Sequence, residues 1–165
     1  MKLEDLKCID NNIDLDEYLK FYKEIRDNMQ HPEWLDTFTK EELIDILSSG
    51  GKIFNYYDKD ILVSSIMYIP IKEKTLIKHN INQDVNEVCS LGPVMVNPKY
   101  IGNHLQYQMQ CMFDDYVKSI SKRYIFTKVH PDNIYSIRNV EKSGYKFLEY
   151  YVSNGEERNC YLKEV

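Results

Sequence analysis

Apolar residues recur at three- and four-residue intervals over residues 14–29, where Leu15, Tyr18, Leu19, Tyr22, Ile25 and Met29 fall on one helical face. Asp14 is placed to cap that helix, and His31-Pro32-Glu33-Trp34 interrupts the pattern. A second helix is predicted from Thr39, whose spacing to Glu42 is that of a capping box. It carries Leu43, Ile46 and Leu47 and stops at Gly50-Gly51. The period then shortens. Residues 52–57 and 61–69 read as strands flanking a turn at Asp58-Lys59-Asp60. Residues 72–86 are polar, with room for a short helix around Leu76. Val88–Val96 reads as a buried strand ending at Asn97-Pro98.

The clearest helical pattern covers residues 103–120, with Leu105, Met109, Met112, Phe113, Tyr116, Val117 and Ile120 on one face. Residues 124–129 alternate as a strand. Pro131-Asp132-Asn133 opens a short helix that ends at Ser143-Gly144. Residues 145–152 and 158–164 are predicted to close the chain as a hairpin around Asn154-Gly155. The strand-helix-strand run over residues 88–129 is a βαβ unit with a right-handed crossover. The order predicts an α+β or mixed α/β class, with helices on both faces of a mostly antiparallel sheet. A length of 165 residues suits one domain spanning 1–165.

One junction carries candidate chemistry. The strand ending at Val96 runs into a turn at Pro98, and a short loop holding Gly102 then opens the long helix. A helix mouth exposes amide N–H groups without intrahelical partners, and the macrodipole adds partial positive charge there. Such a mouth binds phosphate without a basic side chain, and Gly102 permits close backbone approach.

Val96-Asn97-Pro98-Lys99-Tyr100-Ile101-Gly102-Asn103-His104-Leu105-Gln106 resembles the signature V-x-P-x-Y-R-G-x-G-[LI]-[GQ] of the GNAT superfamily of acetyl-CoA-dependent N-acetyltransferases. Downstream, the stretch from Asn133 through Ser136 and Lys142 to Gly144-Tyr145 resembles that family's second signature, at the expected spacing. The resemblance covers roughly residues 88–150. It implies a GNAT-like twisted sheet of six to seven strands. It also implies that Val94, Met95 and Val96 pair with a pantetheine arm through their main chain. Amides of Ile101, Gly102, Asn103, His104, Leu105 and Gln106 would hold the pyrophosphate of acetyl-CoA, with Asn133 and Ser136 near the thioester end. The implied partners are acetyl-CoA as co-substrate and an amine acceptor, with no metal, in a monomer or homodimer.

Three positions depart from the family pattern. Ile101 stands where Arg or Gln is usual, His104 where Gly is usual, and Val140 where many members carry the tyrosine that protonates the leaving thiolate. The alternative to an enzyme is therefore a non-catalytic CoA-binding module. Amine acetylation needs a proton acceptor, and Glu87, just before the central strand, resembles the family's acidic residue by position. Asp84 is a weaker substitute. Tyr145 is one acid candidate among 14 tyrosines. His130 and Trp34 lie beside the candidate region, although a lone strand-end histidine and a loop tryptophan serve more often in packing.

The formal net charge of −5 and the absence of any Lys/Arg block argue against a nucleic-acid binder. No run approaches the ~20 apolar residues of a membrane span, and no apolar segment near the N-terminus reads as a targeting signal. The four cysteines are scattered without a C-x-x-C pair, which points to reduced thiols and a cytoplasmic setting.

Overall fold

The computed structural model describes Met1 to Val165. Seven strands and five α-helices follow in the order β1 (Lys7–Ile9), α1 (Leu15–Asp27), α2 (Lys40–Ser48), β2 (Lys52–Asp58), β3 (Ile61–Pro70), α3 (Glu73–Lys78), β4 (Val88–Val96), α4 (Leu105–Ser119), β5 (Tyr124–Val129), α5 (Ile134–Lys142), β6 (Lys146–Ser153) and β7 (Glu156–Glu164). The chain adopts the expected mixed α/β class, with seven strands in a mostly antiparallel sheet where six to seven were expected, and β4 and β5 pair parallel.

The chain forms two compact units that interleave in sequence. One comprises Met1–Ile69 and Gly92–Met109, the other Pro70–Leu91 and Gln110–Val165. In the first unit β1 and β3 flank β2 antiparallel. Helix α1 starts as its sequence directs, with the Asp14 carboxylate accepting from the amides of Asp16 and Glu17 at 3.0 and 3.1 Å. The Thr39–Glu42 capping box forms in both directions, at 3.1 and 2.8 Å. Tyr18, Phe21, Tyr22 and Ile25 of α1 and Leu43 of α2 bury against Ile53, Leu62, Met67 and Met95. At about 25 cal/mol per Å2, a fully buried side chain of this size stabilises by roughly 1.5–3 kcal/mol before entropy is counted.

In the second unit β4 and β5 run parallel from Val88–Tyr124 to Ser90–Phe126. Strand β7 pairs antiparallel with both β5 and β6. Leu76, Ile81, Val88, Phe126 and Cys160 form its core, with Tyr151 and Leu162 packed alongside. The β6–β7 turn places Asn154 and Gly155 at φ +52° and +76°, the left-handed pair that a two-residue hairpin requires.

The structure departs from the sequence reading at a few places. Strand β1 was not foreseen, and α4 begins at Leu105 and ends at Ser119, two residues and one residue inside the predicted bounds. Leu105, Met109, Phe113 and Val117 are fully buried at four-residue intervals, whereas Ile120 lies past the helix end and is exposed.

Candidate functional site

The candidate loop is built from the end of β4 outward, wholly within the first unit. Burial along β4 alternates, so Met95 enters the core while Val94 and Val96 are half-buried. The Asn97 amide donates to the Val63 carbonyl at 2.7 Å, which ties the strand end to β3. The Asn97 side chain then accepts from the Lys99 amide at 3.0 Å, starting a single 3-10 turn over Pro98–Tyr100. Pro98 suits that turn because its φ is preset and its missing N–H is not required.

Gly102 has φ +96°, and a Cβ built on it meets nothing within 4 Å. His104 has φ +57°. The backbone therefore keeps the left-handed conformation at the position where the family pattern has glycine, although a histidine occupies it. Histidine is among the few residues that tolerate this region, at a cost of order 1 kcal/mol. Replacing His104 with glycine is accordingly expected to leave the melting temperature unchanged or slightly raised in a thermal scan, because released strain offsets the added chain entropy.

Side chains brace the loop from behind. Asn103 Nδ2 donates to the Tyr100 carbonyl at 2.9 Å, and Gln108 Nε2 donates to the Asn103 carbonyl at 2.9 Å. Gln108 Oε1 in turn accepts from the Leu3 amide at 2.8 Å. At the start of α4 the Gln108 amide donates to the His104 carbonyl at 3.1 Å. The amides of Gly102, Asn103, His104 and Leu105 thus precede the helical ladder, the position at which a helix mouth offers donors. Ile101 is 72% exposed, and Gly102 and His104 are exposed as well. Asn103 and Gln106 are half-buried and Leu105 is buried, and the Met1 terminal amine donates to Asn103 Oδ1 at 3.3 Å.

The remaining candidates lie in the second unit and are described within it. The β4–β5 ladder ends at Ser90, and the Leu91 carbonyl accepts from the Thr127 hydroxyl at 3.3 Å. Glu87 is half-buried; its carboxylate lies 3.7 Å from Arg123 Nη1, and its carbonyl accepts from the Arg123 amide at 2.9 Å. Asp84 caps its own turn by accepting from the Asn86 amide at 2.8 Å. Asn133 is the N-cap of α5, with its side chain accepting from the Ser136 amide at 3.2 Å.

Val140 is 3% exposed and belongs to the buried face of α5. Tyr145 is buried, its phenol pushed well above the usual range by burial first and by Asp114 and Cys89 next, with Lys163 over its ring at 5.4 Å. His130 Nδ1 accepts from the Asp132 amide at 3.2 Å, and in the first unit Trp34 stacks on His31 at 4.4 Å. No helix is long and apolar enough to cross a membrane.

No protein-family model matches the chain. No curated protein matches it either. Solved structures do match. A ribosomal-protein-alanine N-acetyltransferase from Brucella melitensis is 14% identical, with a TM-score of 0.72 over 97% of this chain and 100% of that one. An acetyltransferase from Bacillus subtilis in complex with CoA is 10% identical, with a TM-score of 0.67 over 97% and 99% of the two chains. A GNAT family acetyltransferase from Elizabethkingia anophelis with acetyl-CoA bound is 11% identical, with a TM-score of 0.63 over 97% and 98%. At these identities the likeness establishes a shared fold over nearly the full length of both chains.

Proposed function

Because the chain has the fold of the GNAT superfamily, we propose that it is an acyl-CoA-dependent N-acyltransferase that moves acetyl from acetyl-CoA to a primary amine of a small molecule or peptide. The observation that carries this reading is the exposed loop at the mouth of α4, with Gly102 at φ +96° and His104 at φ +57°. Amides from Ile101 to Gln106 hold the pyrophosphate in this proposal, by hydrogen bonding and the helix macrodipole. The main chain of Val94, Met95 and Val96 pairs with the pantetheine arm as an added strand. Asn133 and Ser136 flank the thioester end.

The reaction is a direct attack within a ternary complex. The neutral amine forms a C–N bond to the thioester carbonyl carbon, the C–S bond breaks, and the thiolate leaves as CoA. One proton passes from the amine to a base. Holding both substrates together removes the largest entropic part of the barrier. Glu87 is the proposed base; its carboxylate lies 3.7 Å from Arg123 Nη1 and stays open to solvent. Glu87→Gln is expected to lower kcat by about 100-fold with KM for acetyl-CoA unchanged, as removal of a general base does. A fall of less than about threefold would leave Glu87 as the partner of Arg123 alone.

A second reading, a CoA-binding module without turnover, is favoured by Val140, which is buried where a thiolate-protonating tyrosine is usual in the family. Calorimetry with acetyl-CoA and a thiol-release assay over a panel of amines separate the two. Micromolar binding with release supports the transferase. Binding without release on any amine supports the module, and no binding overturns both. On either reading His104→Gly is expected to tighten acetyl-CoA binding, since it removes the side chain nearest the approaching ligand backbone; weaker binding would mark the imidazole as a ligand group.

A further inference from the structure

His79, Glu149 and Cys160 converge in the second unit from three different elements, and nothing in the transferase reading uses them. His79 is the C-cap of α3 and is 2% exposed; Cys160 lies on β7 at 0% exposure. The Glu149 side chain, on β6, is 29% exposed. Nδ1 of His79 lies 2.7 Å from Oε1 of Glu149 and 3.8 Å from Sγ of Cys160, and one ligand atom from each residue lies within 4.8 Å of the others.

The convergence depends on an irregularity in the β6–β7 register. Lys146 pairs with Leu162 and Phe147 with Tyr161, but the next pair is Glu149 with Cys160. Leu148 is the extra residue. In a regular register Leu148 would stand opposite Cys160, and Glu149 would point to the other face. A bulge that re-aims one side chain is a built feature rather than an accident of an edge strand. Opposed residues on neighbouring strands have Cβ atoms about 5 Å apart, which brings carboxylate and sulfur to one point. The walls are aromatic: Phe126 and Tyr151 have ring centroids 4.9 and 4.8 Å from the His79 ring.

We propose that His79, Glu149 and Cys160 form a binding site for one zinc ion, distinct from the CoA loop. A thiolate, an imidazole and a carboxylate are the donor set that selects this borderline-soft ion, and three protein ligands leave a fourth position for water on the side where Glu149 reaches solvent. Zinc bonds of about 2.0–2.3 Å place tetrahedral ligand atoms roughly 3.3–3.7 Å apart. The 2.7 Å nitrogen–oxygen pair opens, the sulfur closes on Nδ1 by a few tenths of an ångström, and the carboxylate oxygen and sulfur, within 4.8 Å of one another, close by up to about an ångström. On loading, the thiol proton leaves to solvent and the imidazole proton resides on Nε2. Zinc with one thiolate, one carboxylate and a neutral imidazole has no net charge, which suits burial beside Phe126 and Tyr151. A buried nucleophile is the poorer reading of the same cluster. Cys160 is wholly enclosed, so no substrate reaches its sulfur.

The test uses the full chain with the exposed cysteines Cys8 and Cys111 changed to serine. Protein produced in zinc-supplemented medium and passed through gel filtration is expected to retain about one zinc per chain by elemental mass spectrometry. The cobalt-substituted protein is expected to show a thiolate-to-metal charge-transfer band that Cys160→Ser removes. Glu149→Gln, on the open side of the site, is expected to keep the fold by circular dichroism and weaken zinc binding at least about tenfold. Zinc well below one equivalent with no thermal shift on zinc addition overturns the proposal. So does a cobalt band that survives Cys160→Ser. Should Cys160→Ser fail to fold, unchanged zinc affinity in Glu149→Gln overturns it. None of these readings depends on acetyl transfer.

Discussion

Gly102→Val is expected to weaken acetyl-CoA binding by about 100-fold or more in calorimetry, equivalent to about 2.7 kcal/mol, while circular dichroism shows an intact fold. Two effects act in the same direction. At φ +96° a β-branched residue is strained, so the loop either holds a costly conformation or relaxes and rotates its amides away from their common focus. The space beside Gly102 is open, and in the proposed complex that space belongs to the diphosphate. Because the residue is exposed and its Cβ position contacts nothing, global stability is expected to change little. Affinity within about threefold of the unaltered protein would remove the loop from cofactor binding, and the transferase reading with it.

Gly92→Val is expected to act on the scaffold instead. The first Cβ atom alone would lie 2.9 Å from Cδ1 of Ile69, 3.0 Å from Cβ of Met67 and 3.2 Å from the Met67 carbonyl oxygen. The Ile69 methyl can move. The Met67 atoms cannot move freely, because Met67 is paired to Ile53 and is buried in the α1–α2 core. Overpacking of this kind costs about 3 kcal/mol, which at this chain length lowers the melting temperature by roughly 6–12 °C. Acetyl-CoA binding is expected to fall as well, since the displaced segment leads directly into Val94–Val96. A shift below about 1 °C would show that β4 accommodates the side chain without leaving β3.

The helix ends and the loop were legible because their causes are local. Asp14, the Thr39–Glu42 box and Asn154-Gly155 each act within four residues, and a sequence shows such spacing directly. The loop at Pro98–Gly102 is of the same kind. Strand β1 was hidden because Lys7, Cys8 and Ile9 have no alternation of their own; what makes them a strand is the free edge of β2. The cluster of His79, Glu149 and Cys160 was hidden for a stricter reason. Its residues are up to 81 positions apart, and one bulge residue decides which face Glu149 presents. The left-handed His104 lay between these cases, since the family resemblance marked the position while only the backbone showed that the conformation persists without its glycine.

Strand β7 lies between β5 and β6 although it is the last of the three to be made, and the Val165 amide reaches back to the Arg123 carbonyl at 2.8 Å. During synthesis, a nascent chain that has just emerged through Val129 has β5 beside β4 but nothing along its other edge. Ile125 and Phe126, buried in the finished protein, then wait for some 30 further residues before β7 covers that edge. The interval is one in which a bare apolar edge recruits chaperones or neighbouring polypeptides. Slow codons or a stalled ribosome between Val129 and Glu156 would lengthen that exposure without altering a single residue of the product.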